Sequence, residues 1–417
     1  AGEPTTTWVL DRDLVPRVAV SSIKDTTVSI VHYRKDDKSP WVELTRFDAA
    51  KGPALFPLSF EKDNQTLLVA NGANRATIGV YRYDPNTKTR GAMVAEHPRF
   101  DMGANQFGEP IPGLLLDPKT EDVVGFRVDG DKLETVWVDE SYRRLQTMID
   151  KALPETINTF RRTPDGNRLI IASFADRHPT RWYLLDEKNR TLEELFSSRP
   201  WIKPDQLAEM IPFTLKTRDG LEISSYYFLP RNYKKGDKLP TVVHVRGGPF
   251  ARADFWGRWG FGFREAQLLA SRGYAVVVPN FRITPGLGNK IFYSGFGAYG
   301  REMVADHADA AQWAIDQGFA DPARICISGA SYGGSAVLLS MANYPNLFRC
   351  GIAGLVVSDK PLQLTSPAGD IPYNEGGVRF WLSVLGGEST SKIPPHTSPV
   401  NLADKIKGPI MMYAGVD

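Results

Sequence analysis

The sequence predicts two architectures in succession, a series of short antiparallel sheets followed by a mostly parallel α/β sheet. Up to about residue 200 it consists of short β-rich runs separated by turn residues, without long helical periodicity. Beyond Phe213, near-continuous apolar strands alternate with helices, which is the pattern of a parallel sheet covered on both faces. A serine bounded by glycines follows one of these strands and indicates which kind of α/β sheet to expect.

The first part contains a repeated pattern, in which a short apolar run leads to a second β-run that ends near an aspartate. Three copies end at Asp84, Asp139 and Asp186, and a weaker copy ends at Asp48. Repeats of about 50 residues with four short strands each are typical of propeller blades. We therefore predict a β-propeller-like domain over residues 1–203, with a β-sandwich of accidental spacing as the alternative.

The second part, residues 204–417, is predicted to be one catalytic domain. Strands are expected at 242–245, 274–278, 324–328, 350–357 and 409–414, and helices at 264–272 and 301–317. Both cysteines, Cys326 and Cys350, fall within apolar strand runs. Two small buried thiols are favoured there over a disulfide or a metal pair.

Ser331 carries the main chemical signal. It lies in Gly329-Ala330-Ser331-Tyr332-Gly333, directly after an apolar strand and before a helix-prone run. A strand, a glycine-tight turn and a helix form the nucleophile elbow of the α/β-hydrolase fold, in which the strained turn projects the hydroxyl above the sheet.

A second glycine motif, Arg246-Gly247-Gly248-Pro249, ends an earlier strand. An oxyanion needs two convergent donors, and backbone amides at such a loop and after the nucleophile supply them. We assign the oxyanion hole to the amides of Gly248 and Tyr332. A plain turn at Gly247 and Gly248 is the alternative.

The remaining triad residues are expected in the order acid, then histidine. Asp417 follows a strand and a turn at Gly415, and it is the predicted acid. All the histidines precede it: His32, His97, His178, His244, His307 and His396. Substitution by His244, His307 or His396 is not favoured, because a lone histidine is usually a structural or surface residue.

Several motifs together resemble the prolyl oligopeptidase family, in particular its acylaminoacyl peptidase and dipeptidyl aminopeptidase branch. They are the elbow, the 246–249 loop, Pro279-Asn280-Phe281-Arg282, the 321–325 stretch and the 398–406 stretch. The resemblance implies a β-propeller that caps an α/β-hydrolase domain and admits short peptides. It also implies Ser331 as nucleophile, Asp417 as acid and a histidine some thirty or more residues further on.

The sequence departs from the family pattern in three ways. Arg246 stands where the glycine loop usually has histidine, residues 282–288 replace a run of small residues, and the base histidine does not follow Asp417 within this chain. Without a base, the Ser331 hydroxyl is a poor nucleophile at neutral pH. We expect a C-terminal segment or a second chain to supply the histidine. Residues before Ala1 are also expected, because the closed propeller that the resemblance implies needs more blades.

The overall composition restricts the functional classes. Fifty basic residues against 48 acidic ones give a net charge of +2, so neither nucleic acid nor an anionic membrane is an expected partner. No apolar stretch approaches the ~18 residues of a membrane span, and neither a cofactor motif nor metal-ligand spacing is recognised. A cytoplasmic location is favoured, with a periplasmic or secreted one open if a leader has been removed. A homo-oligomer is left open.

The predicted function is a serine peptidase acting on short or N-terminally blocked peptides through an acyl-enzyme. A carboxylesterase of the same fold is the first alternative, because acyl transfer to water uses identical machinery. A non-catalytic propeller binding module is the second.

Overall fold

The computed structural model describes residues 4–52, 55–109, 111, 113–367 and 375–415. Within these ranges the N-terminal part forms four antiparallel sheets that follow one another along the chain. The first two sheets consist of β1 (Thr5–Leu10), β2 (Pro16–Ser22), β3 (Val28–Tyr33) and β4 (Val42–Asp48), then β5 (Leu55–Phe60), β6 (Leu67–Asn71), β7 (Gly79–Asp84) and β8 (Thr89–Ala95). The next two consist of β9 (Leu114–Leu116), β10 (Val123–Asp129) and β11 (Leu133–Trp137), then β12 (Ile157–Arg162), β13 (Arg168–Phe174), β14 (Arg181–Asp186) and β15 (Thr191–Ser197).

The aspartates of the predicted repeat lie at the ends of strands or at the start of a helix. The Asp84 carboxylate accepts from the backbone N–H of Asn86 at 2.8 Å, and that of Asp186 accepts from Asn189 at 2.9 Å. Such bonds stabilise the tight turn that follows a strand. Asp139 instead caps a helix, accepting from the backbone N–H groups of Ser141 and Tyr142.

That helix, α1 (Glu140–Ala152), corrects the expectation that the first two hundred residues lack long helical periodicity. Its buried residues, Tyr142, Leu145 and Ile149, follow the three- and four-residue spacing of an amphipathic helix. They pack against Phe160 and neighbouring residues of the third and fourth sheets. A stripe of three residues between β-rich runs was too short to stand out in the sequence.

The C-terminal part is a seven-stranded sheet with strand order β16-β17-β19-β18-β20-β21-β22. The first two pairings are antiparallel and the others are parallel. The strands are β16 (Met210–Lys216), β17 (Glu222–Phe228), β18 (Leu239–Val245), β19 (Ala275–Val278), β20 (Ala320–Ala330), β21 (Cys350–Gly354) and β22 (Ile410–Tyr413). The helices are α2 (Phe261–Ala270), α3 (Asn289–Tyr293), α4 (Glu302–Asp316), α5 (Tyr332–Asn343), α6 (Lys360–Thr365) and α7 (Glu375–Leu385), with 3₁₀ turns at Pro204–Gln206, Pro395–Thr397 and Pro399–Lys405.

This arrangement confirms the predicted fold class, an α/β-hydrolase sheet preceded by part of a β-propeller. Each predicted strand and helix of the second part coincides with an observed one. β21 ends earlier than predicted, at Gly354, because Leu355 adopts a left-handed φ of 48°. The boundary predicted between residues 203 and 204 falls between β15 and β16, and it stays a prediction.

The expected pair of free thiols is wrong. Cys326 and Cys350 form a disulfide with their Cα atoms 4.7 Å apart. They lie directly opposite each other on the adjacent strands β20 and β21. The register between strands, which the sequence does not reveal, brings the two sulfurs together.

Polar contacts join the propeller part to the hydrolase part beside the site. Arg252 donates to the carbonyl oxygen of Gly130 at 2.8 Å, and Arg258 forms an ion pair with Asp129. On the other side, the buried Asp101 carboxylate accepts from the backbone N–H of Gly288 at 3.0 Å. These contacts fix the β-sheets against the loops that lead into the site.

Candidate active site

Ser331 lies at the sharp turn between β20 and α5, with φ 58° and ψ −121°. A residue other than glycine adopts these left-handed backbone angles only when its surroundings impose them. The backbone N–H of Ser331 donates to Gly354 O at 3.0 Å, and its carbonyl oxygen accepts from Ser335 at 3.1 Å. The turn is therefore held between β21 and the first turn of α5, as a nucleophile elbow requires.

The two glycines of the elbow allow it to press against the end of β18. A Cβ atom at Gly329 would lie 2.4 Å from Val245 O, and one at Gly333 would lie 2.2 Å from the same oxygen. Both distances are far below van der Waals contact. Only glycine at both positions lets the Ser331 turn approach the loop that follows β18.

That loop carries the predicted oxyanion residue Gly248. A Cβ atom at the preceding Gly247 would lie 3.3 Å from Ser331 Cβ and 3.9 Å from Ser331 Oγ, so the loop backbone directly borders the nucleophile. Gly248 has a φ of 134°, which is open to glycine. Gly248, Ser331 and Tyr332 line the same cavity.

Arg246 holds this loop from behind. Its buried guanidinium donates to the carbonyl oxygens of Gly247 at 3.2 Å and Pro249 at 3.3 Å, and to Thr284 Oγ1 at 2.5 Å. It also lies over the ring of Phe281, 4.3 Å from the centroid. Burial lowers the pKa of Arg246 to about 10, so it is charged at neutral pH. Arginine at this position thus bonds to the backbone of the glycine loop itself.

Residues 282–288, the second departure from the family pattern, are buried behind the cavity and do not line it. Arg282 forms ion pairs with Asp306 at 2.6 Å and Asp219 at 2.9 Å. The backbone N–H of Gly286 donates to the side chain of Gln106 at 3.1 Å. The segment therefore supports the loops around the site.

Two histidines of the hydrolase part are buried near the elbow but face other groups. His307 on α4 has Nε2 3.4 Å from the hydroxyl oxygen of Tyr332, and burial lowers its pKa to about 3. His244 on β18 has Nδ1 2.9 Å from Ser328 Oγ and Nε2 3.3 Å from the Glu265 carboxylate. Burial lowers the pKa of His244 as well.

Within the described ranges, Ser331 Oγ makes no hydrogen bond to any histidine. The predicted acid, Asp417, lies outside the described residues. β22, the strand that leads towards it, ends at Tyr413.

The cavity in front of Ser331 has a volume of about 480 Å³ and lies between the two parts of the chain. The propeller side contributes Ser22, Ala49, Phe107 and residues 26–29 around the β2–β3 turn. The hydrolase side adds Phe250, Val357, Lys360, Gln363, Gly376, Gly377, Phe380 and Trp381. Sequence reasoning missed these wall residues because they come from separate segments that share no motif.

In the part of the chain that the structure describes, no three His, Cys, Asp or Glu side chains lie together as metal ligands. No described helix is both long and apolar enough to span a bilayer.

Comparison with known proteins confirms the resemblance predicted from the sequence. Residues 259–417 match the model of the prolyl oligopeptidase family. The dipeptidyl aminopeptidase BIII of Pseudoxanthomonas mexicana is 29% identical over 98% of this chain and 58% of its own length. Dipeptidyl peptidase family member 6 of Caenorhabditis elegans is 25% identical over 98% of this chain and 57% of its own length.

A puromycin hydrolase structure shares the fold, with a TM-score of 0.72 at 18% identity over 99% of this chain and 61% of its own. The chain spans less than two thirds of the length of each of these relatives.

Proposed function

We propose that this chain, a member of the prolyl oligopeptidase family, carries the nucleophile and the oxyanion hole of a serine peptidase for short or N-terminally blocked peptides. The observation that carries the proposal is Ser331 in a left-handed turn, facing a cavity that it shares with Gly248. A serine held in this way has its hydroxyl next to backbone donors, which is the arrangement that acyl transfer needs.

The reaction has two halves. In the first, Ser331 Oγ attacks the scissile carbonyl carbon while its proton passes to a histidine base, and the amides of Gly248 and Tyr332 stabilise the oxyanion. The histidine returns the proton to the leaving amine, which departs and leaves an ester on Ser331. In the second half, water attacks this ester with the same base and releases the peptide acid. Asp417 would hold the histidine in the required tautomer.

The base histidine is proposed to come from a segment outside residues 1–417, either further along the polypeptide or on a second chain. Two observations support this. Ser331 Oγ makes no hydrogen bond to a histidine within the described ranges. β22 also exposes Met411 and Met412 at 63% and 60%, although strands of a parallel sheet are normally covered on both faces. Further elements that cover β22 would lie beside the end of this strand.

Short substrates fit the shape of the cavity. The β2–β3 turn of the propeller side and Ser331 line the same cavity. Its volume of about 480 Å³ is sufficient for a few residues of an extended peptide. Two of the relatives are named a dipeptidyl aminopeptidase and a dipeptidyl peptidase, which supports peptides as the substrate class.

Hydrolysis of an aminoacyl anilide compared with a p-nitrophenyl ester tests the proposal. The full-length polypeptide should hydrolyse the anilide, and Ser331→Ala should abolish this activity. A strong preference for the ester, with negligible anilide hydrolysis, would establish the esterase alternative instead. No hydrolysis of either compound by the folded protein would favour the non-catalytic binding module.

A further inference from the structure

The motif Pro279-Asn280-Phe281-Arg282, which follows β19, takes no part in the proposed reaction. Its backbone is anchored on two other elements. The N–H of Asn280 donates to a serine hydroxyl of β17 at 3.1 Å, and the N–H of Arg282 donates to the carboxylate of Asp306 on α4 at 2.9 Å. Phe281 lies between these anchors and is completely buried. The position of its ring is therefore set by β17 and α4 together.

One face of the Phe281 ring carries the guanidinium of Arg246, which lies 4.3 Å from the ring centroid. Arg246 is itself only 5% exposed, and an aromatic face attracts a cation most strongly where water is excluded. The Thr284 hydroxyl forms a second link, since it accepts from Arg246 at 2.5 Å and donates to the carbonyl oxygen of Phe281 at 2.6 Å. The guanidinium held in this way is the group that bonds to the carbonyl oxygens of Gly247 and Pro249.

The same ring packs against Tyr332, the residue that follows the nucleophile. The ring centroids of Phe281 and Tyr332 are 5.0 Å apart. His307 completes the cluster, with its ring edge-to-face with Phe281 at 5.0 Å and its Nε2 3.4 Å from the hydroxyl oxygen of Tyr332. All three side chains are buried. Because such interiors are close-packed, a change in the Phe281 ring is transmitted to Tyr332.

We propose that Phe281 is a positioning residue that couples the two halves of the oxyanion hole. The inference rests on the proposed function. On one side Phe281 holds Arg246, and through it the loop whose Gly248 amide is the first proposed donor. On the other side it holds Tyr332, whose amide is the second. A shift of either amide relative to Ser331 would weaken oxyanion stabilisation more than substrate binding, because the oxyanion forms only in the transition state.

The simpler interpretation is that Phe281 only fills space in the hydrophobic core of the hydrolase part. Any apolar side chain of similar size would then serve. Arg246 separates the two interpretations, because a guanidinium is attracted by an aromatic face and not by an aliphatic chain. Methionine is long and flexible enough to fill most of this space, but it offers no such face.

The test is kcat and KM of the full-length polypeptide on an aminoacyl anilide. In Phe281→Met, kcat should fall by about tenfold to hundredfold while KM stays within about twofold, as for an interaction made only in the transition state. Phe281→Tyr, which keeps the ring, should have a kcat at least about fivefold above that of Phe281→Met. The final extent of fluorophosphonate labelling counts the folded sites in each sample, and rates are expressed per labelled site. Phe281→Leu carries the same expectation as Phe281→Met should methionine prevent folding.

Phe60→Met is the matched control. Phe60 is 1% exposed and lies under the guanidinium of Arg17 at 5.1 Å, in the propeller part. Neither residue is among the described ones that line the cavity. This variant should be destabilised in thermal unfolding to a similar extent, yet it should keep the wild-type kcat.

A double variant tests the connection to Arg246. Arg246→Met should lower kcat on its own. Phe281→Met added to it should then reduce kcat by a smaller factor than in the wild-type protein, because part of the effect passes through Arg246.

The contrary outcomes differ in what they leave standing. A wild-type kcat in Phe281→Met would overturn the inference while the peptidase function stands, and so would equal reductions with and without Arg246. If the wild-type protein hydrolyses no anilide and Ser331 is not labelled, the proposed function fails and the inference fails with it.

Discussion

Replacing Gly333 by alanine should distort the elbow and the oxyanion loop together. The new Cβ atom would lie 2.2 Å from Val245 O and 3.1 Å from Arg246 O. A carbon and an oxygen need more than 3 Å, so the end of β18 would have to move by about 1 Å. Both contacts are backbone atoms, which cannot turn away as a side chain can.

The expected cost follows from this displacement. Overpacking of this kind destabilises by about 1–3 kcal/mol, which corresponds to a fall in melting temperature of roughly 2–12 °C for a domain of this size. The catalytic effect should be larger, since a shift of about 1 Å between nucleophile and oxyanion donors costs on the order of 100-fold in rate.

Thermal unfolding and the rate of fluorophosphonate labelling measure the two effects separately. Gly52→Ala is the matched control, because among the residues that the structure describes no atom other than those of its chain neighbours lies within 4 Å of a Cβ at that position. It should match the wild-type protein in both measurements. Wild-type stability and labelling in Gly333→Ala would refute the claim that close approach to Val245 shapes the site.

Three further predictions concern the surroundings of the site. Arg246→Met should lower the free energy of unfolding by about 3 kcal/mol and slow the labelling of Ser331, because the glycine loop loses its donors and the buried Asp254 loses its nearest cation. Urea titration measures the first effect and probe kinetics measure the second. An unchanged labelling rate would show that Arg246 does not hold the glycine loop in its reactive position. The pKa of His307 falls from 6.5 to about 3 on folding, so the unfolded chain takes up a proton below pH 6.5 that the folded chain refuses. As the pH is lowered below 6.5, this residue should therefore reduce the free energy of unfolding by up to about 1.4 kcal/mol per pH unit. Urea titrations between pH 7.5 and 5.5 should give a shallower decrease for His307→Phe than for the wild-type protein. Equal slopes would contradict the claim that His307 is buried in its neutral form. Alkylation of the denatured, unreduced protein should modify neither Cys326 nor Cys350, while prior reduction should expose both to the reagent; alkylation without reduction would restore the free-thiol expectation.

Local sequence patterns were sufficient to predict most of the fold. The parallel strands were predictable because burial on both faces requires continuous apolar runs, as in β19, where all four residues are buried. The propeller repeat was recognisable because aspartates such as Asp84 and Asp186 bind the backbone of the next turn. The nucleophile motif combined both kinds of signal, since the Ser331 turn needs glycines within it and a strand before it.

Features that depend on distant contacts could not be predicted. The pairing of Cys326 with Cys350 depends on the register of β20 against β21. The wall of one cavity combines the β2–β3 turn with Lys360, which comes more than three hundred residues later in the sequence. Arg246 was recognised only as a departure from a family pattern, because its bonds to the loop carbonyls depend on the folded backbone.

Mass spectrometry of the full-length polypeptide after treatment with a fluorophosphonate probe tests the role of Ser331 most directly. After reduction and tryptic digestion, an adduct should be found on the peptide of residues 325–349, which contains Ser331. Ser331→Ala should abolish this adduct. A folded protein that gives no adduct on this peptide would contradict the assignment of Ser331 as an activated nucleophile.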